Sequence, residues 1–196
     1  MENKNKSYVA FIGTTRIARG TFVEIATAAK EHHDKESSER LALFDTSTGR
    51  PFDLDLRGTL EEVIECLVSH PLFDGSVKTN EKRGPGRPKL GVVSREISLL
   101  PRHWSWLSEQ RGGASATLRR VVDEARNSNA TEDKTRRALD AAHNFMWDIA
   151  GDQANFEDAS RALFSKDFEG FEQQTMEWPV DIRDELQRIL GQAREA

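Results

Sequence analysis

A short alternating segment that ends in a proline constrains this chain more than any other feature. Ile97 and Leu99 alternate with polar neighbours, a period of two that predicts a half-buried strand at Ser94 to Leu99. Pro101 is disfavoured inside a strand and favoured in the first turn of a helix, so a helix is predicted from there. A lone strand cannot satisfy its own N–H and C=O groups, so it must pair with a second copy of the chain or with a sheet of the same chain.

Two helices are predicted to follow this strand. Trp104 and Leu107 fall on one side of the first helix, which ends at Gly112 and Gly113 because glycine accepts the left-handed conformation of a helix C-terminus. In the second helix, apolar residues recur at helical spacing and charged residues occupy the other positions. The apolar set is Leu118, Val121, Val122 and Ala125.

This strand–helix–helix order, with Leu100-Pro101 at the end of the strand and a Gly112 to Ser115 turn, resembles the ribbon-helix-helix domain of the Arc and MetJ type. The resemblance implies a homodimer in which two strands pair as a ribbon that enters the major groove of double-stranded DNA. It also implies that Leu118 and Val122 pack across the dimer. The DNA-contacting residues on this interpretation are Ser94, Arg95, Glu96 and Ser98 of the ribbon, with Gly113, Ser115 and Arg119 at phosphates.

A basic segment precedes the predicted strand. Residues 74–90 read DGSVKTNEKRGPGRPKL, a composition typical of an extended linker. Its Gly-Arg-Pro core resembles an AT-hook, in which arginine enters the narrow minor groove of A·T-rich DNA. The residues implied are Lys82, Arg83, Arg87 and Lys89, and the alternative is a solvated linker with no ligand.

Charge is distributed unevenly along the chain. The net charge is −5, which argues against nucleic-acid binding by the whole surface. Between Lys78 and Arg126, however, 11 basic residues face 5 acidic ones, which leaves 17 of the 28 basic and 28 of the 33 acidic residues elsewhere. Screening makes the local charge decisive for binding a polyanion, so the middle of the chain is the candidate nucleic-acid region.

The flanking regions predict an α+β chain. Residues 1–73 read as a complete ββαββα domain, residues 74–90 as the linker, 91–127 as the ribbon-helix-helix-like module, and 128–196 as an all-α region. Phe52, Leu54 and Leu56 alternate in the last predicted strand, Pro51 to Arg57, and place one apolar face on the sheet. A single cysteine, no apolar run long enough to cross a bilayer and no signal peptide at the start predict a cytoplasmic protein.

Few residues suggest chemistry. Asp45, Asp53 and Asp55 are candidates for a cation or for acid–base catalysis, but an acidic solvent face is the simpler interpretation. Cys66 and His70 lie four apart on one helix, yet two ligands from one helix are too few for zinc, so a buried thiol is predicted instead. We therefore predict no enzyme activity, no cofactor and no metal.

Over its length the chain also resembles a bacterial family described as domain of unknown function 2239, a match that implies no activity. The resembling segments are FDLDLRG from Phe52 to Gly58, GRPKLGVVSRE, LLPRHW, RALF and EWPVDIRD. The favoured hypothesis is a homodimeric DNA-binding protein, either a transcriptional regulator or a nucleoid-associated factor. The alternatives are a dimerisation or protein-interaction module that ignores DNA, and an enzyme built on Asp53 and Asp55.

Overall fold

The computed structural model describes residues 7–35, 39–67 and 93–194, which form a four-stranded sheet and eight helices. The elements of the first part are β1 (Tyr8–Ile12), β2 (Thr15–Gly20), α1 (Phe22–His33), β3 (Leu41–Asp45), β4 (Arg50–Phe52) and α2 (Leu60–Leu67). The remaining helices are α3 (Pro101–Glu109), α4 (Gly113–Ser128), α5 (Ala130–Ala150), α6 (Phe156–Phe164), α7 (Phe168–Gln174) and α8 (Val180–Arg194). The class is α+β.

The chain divides into two compact units. Unit 1 comprises Met1–Gly75 and Thr131–Ala196, and unit 2 comprises Ser76–Ala130. The division differs from the predicted one, in which residues 1–73 and 128–196 were separate regions. In sequence, unit 2 is an insertion between the two halves of unit 1.

The sheet of unit 1 is antiparallel throughout, with the strand order β2-β1-β3-β4. Strand β1 is central: Val9 is paired with Arg19 on one side and with Phe44 on the other. Its residues Val9, Ala10 and Phe11 are fully buried. Because neighbouring side chains on a strand point to opposite faces, burial of all three means that both faces of the sheet are covered.

One face of the sheet packs on α1 and α2. Tyr8, Ala10 and Leu43 share a core with residues of both helices: Phe22, Ile25, Ala26, Ala29, Val63 and Leu67. The predicted alternation is also present, because Phe52, Leu54 and Leu56 are half-buried against this core while Asp53 and Asp55 are exposed. Regular pairing of β4 nevertheless ends at Phe52, five residues before the predicted end of the strand.

The other face packs on the C-terminal helices, which the sequence analysis did not predict. Phe145 of α5 lies with its ring centroid 4.9 Å from Phe44 and 5.6 Å from Phe11. The same core continues into the later helices through Phe156, Leu163, Phe171, Trp178, Ile182, Leu186, Ile189 and Leu190. A sheet with two apolar faces needs helices on both. Residues 1–73 are therefore not a complete domain.

Local signals account for where several helices begin. Thr21 accepts a hydrogen bond from Glu24 N at 3.4 Å, and the Glu24 carboxylate accepts one from Thr21 N at 2.7 Å, which forms a capping box at the start of α1. Thr59 and Glu62 repeat this reciprocal pair at the start of α2. Threonine followed three residues later by glutamate is a signal of a helix start that can be read from the sequence alone.

Within the described part of the chain, no helix combines the length and the apolar character needed to span a membrane.

Replacing Phe145 with alanine tests whether the second face of the sheet is needed for stability. The substitution removes a fully buried ring, so we expect the free energy of unfolding to fall by about 3–5 kcal/mol in a denaturant titration. The control is Met176→Ala, since Met176 is exposed and a change of at most about 0.5 kcal/mol is expected there. Equal effects of the two substitutions would contradict this account of the core.

Candidate nucleic-acid interface

The described part of unit 2 begins with residues 93–100, which form neither strand nor helix and lead into α3. Leu100 is the N-cap, with an extended backbone at φ −66° and ψ 150°, and Pro101 occupies the first turn. The Leu100 carbonyl accepts hydrogen bonds from His103 N at 2.8 Å and Trp104 N at 3.3 Å. Proline can start the helix without the loss of a backbone hydrogen bond, because the first N–H groups of a helix have no partner within it. The helix begins where the sequence predicts.

Two glycines set the turn between α3 and α4. Gly112 has a φ of 95° and Gly113 a φ of 76°, both in the left-handed region. Only glycine occupies that region without strain. The prediction that these residues end α3 is nevertheless wrong, because α3 ends at Glu109 with the extended Gln110 as its C-cap, while Gly112 is the N-cap of α4 and Gly113 its first residue. Gly113 N donates to Gln110 O at 3.1 Å, which removes this amide from the set predicted to face a phosphate.

The predicted strand is not present in the single chain. Residues 93–100 form neither strand nor helix, and Ser94, Arg95, Glu96 and Ser98 are all exposed. No backbone hydrogen bond joins residues 93–99 to another described residue. The physical reason is the absence, within the described chain, of an adjacent strand that could complete a ladder. Ribbon pairing is therefore not part of the fold of one chain.

Most apolar side chains of unit 2 are exposed. In its described part, Leu107 is the one buried apolar residue, and it is accompanied by the buried Thr117. Trp104, which the sequence places on the same side of α3 as Leu107, is 43% exposed, and Val122 is 53% exposed. Other exposed members of the set are Val93, Ile97, Leu100, Trp106 and Val121. We call Ile97, Leu100, Trp104, Val121 and Val122 the apolar set of unit 2.

The arginines of unit 2 differ in their partners. Arg120 lies 3.9 Å from Glu124 and Arg126 lies 3.9 Å from Asp123, in pairs along one face of α4. Arg119 is exposed and, among the described residues, has no carboxylate within 4.0 Å. The same holds for Arg95, Arg102 and Arg111.

The first turn of α4 carries neither an acidic residue nor a side-chain cap. Ser115 is exposed in that turn. The positive end of the helix dipole is therefore uncompensated by the side chains of the turn itself. The basic residues Lys82, Arg83, Arg87 and Lys89 of the AT-hook-like arm lie outside the described residues.

The candidates for chemistry outside unit 2 do not assemble into a site. Asp45 is buried and accepts hydrogen bonds from Ser47 N at 2.8 Å and Ser47 Oγ at 2.6 Å, which stabilises the turn after β3. Asp55 pairs with Arg57 at 2.6 Å, and the hydrogen bonds from Arg57 hold the pKa of the Asp55 carboxyl below its ordinary value. Among the described residues, no three acidic, histidine or cysteine side chains are grouped as metal ligands.

The prediction for Cys66 is also corrected. Its side chain is exposed on α2 rather than buried. It follows Val63 by three residues and precedes Leu67, the two buried positions of that helix. The apolar face of α2 therefore runs through Val63 and Leu67 and leaves Cys66 outside the core.

A cationic cavity in unit 1 was not predicted from the sequence. Arg19, Lys134, Arg137 and Arg188 line it, on three different elements. The one sequence signal available was the spacing of Lys134 and Arg137, which are neighbours on a helical face. The other two arginines join them only through the packing of β2 and α8.

Comparison with known proteins gives a family and no activity. The family model described as "Uncharacterized protein conserved in bacteria (DUF2239)" matches residues 7–190. No curated protein and no solved structure matches the chain.

Substitution of the turn glycines gives a test of the α3–α4 geometry. At Gly112 the left-handed backbone strains any L side chain, and an added Cβ would lie 3.3 Å from the Ala116 Cβ. We expect Gly112→Ala to destabilise unit 2 by about 1–2 kcal/mol, measured as faster amide hydrogen exchange in α3 and α4. The matched control is Gly191→Ala in α8, which has open space and should stabilise unit 1 by up to about 1 kcal/mol. Unchanged exchange in Gly112→Ala would count against the turn.

Proposed function

The chain belongs to the DUF2239 family of uncharacterised bacterial proteins, and we propose that this member is a homodimeric DNA-binding protein that dimerises through unit 2. The single observation that carries the proposal is an exposed segment, residues 93–100, that has no regular secondary structure and precedes two helices whose large apolar side chains are mostly exposed. This part of the chain also holds the local excess of positive charge.

The described part of unit 2 does not bury a core of its own. A small globular unit buries a low fraction of its surface on folding and is only marginally stable by itself. In this part Leu107 is the one buried apolar side chain, the unit has no cysteine, and no metal-ligand group is found among the described residues. A partner surface would add stability, and it is the apolar set that it would cover.

The partner that we propose for this surface is a second copy of the chain. An exposed strand-forming segment is satisfied by another strand, and a twofold arrangement lets Ser94 to Leu99 of one chain pair with the same residues of a second copy. Two copies would bring Leu118 and Val122 of each α4 into one interface. A homodimer thus meets the backbone and the apolar requirements together, which is the reason for preferring it.

The surface formed by two copies of unit 2 would be positively charged. Between Lys78 and Arg126 the chain has a net charge of +6, and a dimer doubles it on one face. The ribbon would present Ser94, Glu96 and Ser98 to the major groove, while Arg119 and the N-terminus of α4 contact phosphates. Lys82, Arg83, Arg87 and Lys89 would reach the minor groove. If about six phosphates are neutralised, log K falls with log salt at a slope of roughly −5.

A dimeric protein-interaction module is the second candidate, and one observation favours it. Glu96 is exposed in the middle of the segment that would read the groove, where the phosphates repel it. A protein partner would meet no such repulsion. On this alternative the dimer forms in the same way but does not bind duplex DNA.

The dimer is tested by placing a charge in the apolar set. Val122→Glu would bury an unpaired carboxylate in the interface, so we expect a dimer of the full chain to dissociate at least about a hundredfold more readily. Sedimentation equilibrium measures the change. Val180→Glu, an exposed valine of unit 1, is the matched control and should leave the dimer unchanged. A wild-type chain that stays monomeric at high micromolar concentration would rule out both candidate functions.

DNA binding is tested by mobility shift and by its dependence on salt. We expect Arg83→Ala with Arg87→Ala to weaken binding more on A·T-rich than on G·C-rich duplexes. Arg119→Ala should weaken binding to both duplexes equally and make the salt slope shallower by about one for each phosphate that is no longer neutralised. Arg161→Ala, on α6 and paired with Asp158, is the control and should bind like the wild type. A stable dimer that binds no duplex at low salt would leave the interaction module as the function.

A further inference from the structure

Unit 1 contains a cavity of about 240 Å³ that no function discussed so far uses. Its walls come from β2, from the turn between β3 and β4, from the first half of α5 and from α8. Four basic side chains line it: Arg19, Lys134, Arg137 and Arg188. None of its described lining residues is acidic.

The cavity is held in shape by a close contact between the β3–β4 turn and α5. At Gly49, a Cβ would lie 1.8 Å from the Ala141 carbonyl oxygen, so the turn reaches α5 without a side chain between them. Asn144 Nδ2 donates to Thr48 O at 2.9 Å and fixes the same turn from the helix side. Ser47, which directly precedes Thr48 in this turn, is thereby placed at the cavity wall.

Helical spacing and burial explain why the cations gather here. Lys134 and Arg137 are three residues apart on α5 and therefore neighbours on its surface. Ala138 and Ala141, on the same helix, are buried against the sheet and also line the cavity. Their small size allows α5 to lie close to the turn, and Arg188 of α8 lines the cavity with them.

The basic groups are only partly compensated within the chain. Arg19 bonds the buried carboxylate of Glu185 through Nε at 3.3 Å, and Arg137 has Asp133 at 4.0 Å. Lys134 and Arg188 have no carboxylate within 4.0 Å among the described residues. Four like charges around one small space repel one another, and an anion inside the cavity relieves that repulsion.

The hydroxyl groups at the wall do not add free donors. Ser47 Oγ donates to the buried Asp45 at 2.6 Å, and Thr46 Oγ1 donates to Ser7 O at 2.6 Å. The attraction for an anion therefore comes from the four cations. The hydroxyl oxygens keep lone pairs that can accept from a hydroxyl group of a ligand.

From this arrangement we propose that the cavity binds a small phosphorylated molecule. Guanidinium groups match the geometry of phosphate oxygens, and the lysine adds a point charge. The volume is near the lower end for ligand sites, which suits one or two phosphate groups with a small attached group. The site is concave and belongs to unit 1, so it differs in kind from the duplex-binding surface proposed for unit 2 and does not depend on it.

Pyrophosphate is the probe for a calorimetric titration of the full chain at low ionic strength. We expect saturable binding, and we expect Arg188→Gln and Lys134→Gln each to raise the dissociation constant about tenfold or more, since each removes a charged hydrogen-bond donor. Both side chains lack an ion pair among the described residues, so the variants should fold. Thermal unfolding of each variant checks this, and the Tm gain on adding pyrophosphate should shrink in parallel with affinity.

A variant outside the cavity serves as the control for this experiment. Arg161→Gln removes a paired arginine from α6 and should leave pyrophosphate affinity unchanged. Failure of the wild type to bind millimolar pyrophosphate, or equal weakening by Arg161→Gln, would overturn the site. Displacement of pyrophosphate by a short DNA duplex, lost in the same two cavity variants, would instead assign the cavity to nucleic-acid phosphates and refute a small-molecule ligand. None of these outcomes depends on whether unit 2 dimerises.

Discussion

The packing of Phe145 against Phe11 and Phe44 is the contact on which the rest of unit 1 depends. It closes the second apolar face of the sheet, the face that α1 and α2 leave uncovered. Without it, fully buried residues of the central strand would be in water, at a cost of about 25 cal/mol for each Å² of apolar surface exposed. The two ends of the chain are therefore one folding unit, although more than sixty residues separate α2 from α5 in sequence.

A buried carboxylate adds a polar constraint to the same unit. Glu185 of α8 is fully buried and lies 3.4 Å from Arg16 Nη1 and 3.3 Å from Arg19 Nε, both on β2. Arg16 N also donates to Asp181 Oδ2 at 2.9 Å. A buried charge is tolerated only when it is paired, so these contacts specify how the edge strand meets α8. Arg19 then belongs both to this network and to the lining of the cationic cavity, which ties the candidate ligand site to the packing of the core.

Units 1 and 2 differ in how their apolar residues are satisfied. Unit 1 buries most of its large apolar side chains on both faces of a sheet, whereas the described part of unit 2 has one buried apolar residue and an exposed apolar set. An exposed apolar surface of this kind is typical of a binding surface. The unit also carries the positive charge that unit 1 lacks overall. Its composition therefore suits an interaction module, which is the basis of our proposal that unit 2 recognises a macromolecule.

Features that depend on a few adjacent residues could be predicted from the sequence. Thr21 with Glu24 starts α1, Pro101 starts α3, and Gly112 adopts a left-handed backbone in the turn before α4, because caps and special backbone angles are local interactions. The alternation of Phe52, Leu54 and Leu56 likewise predicted which side chains face the core. What could not be predicted are the contacts between distant segments: the second covered face of the sheet, the exposure of Trp104, and the gathering of Arg19 and Arg188 beside Lys134. Periodicity shows that a residue has an apolar or polar face, but the fold decides what lies opposite that face, since this depends on the packing of elements far apart in the chain.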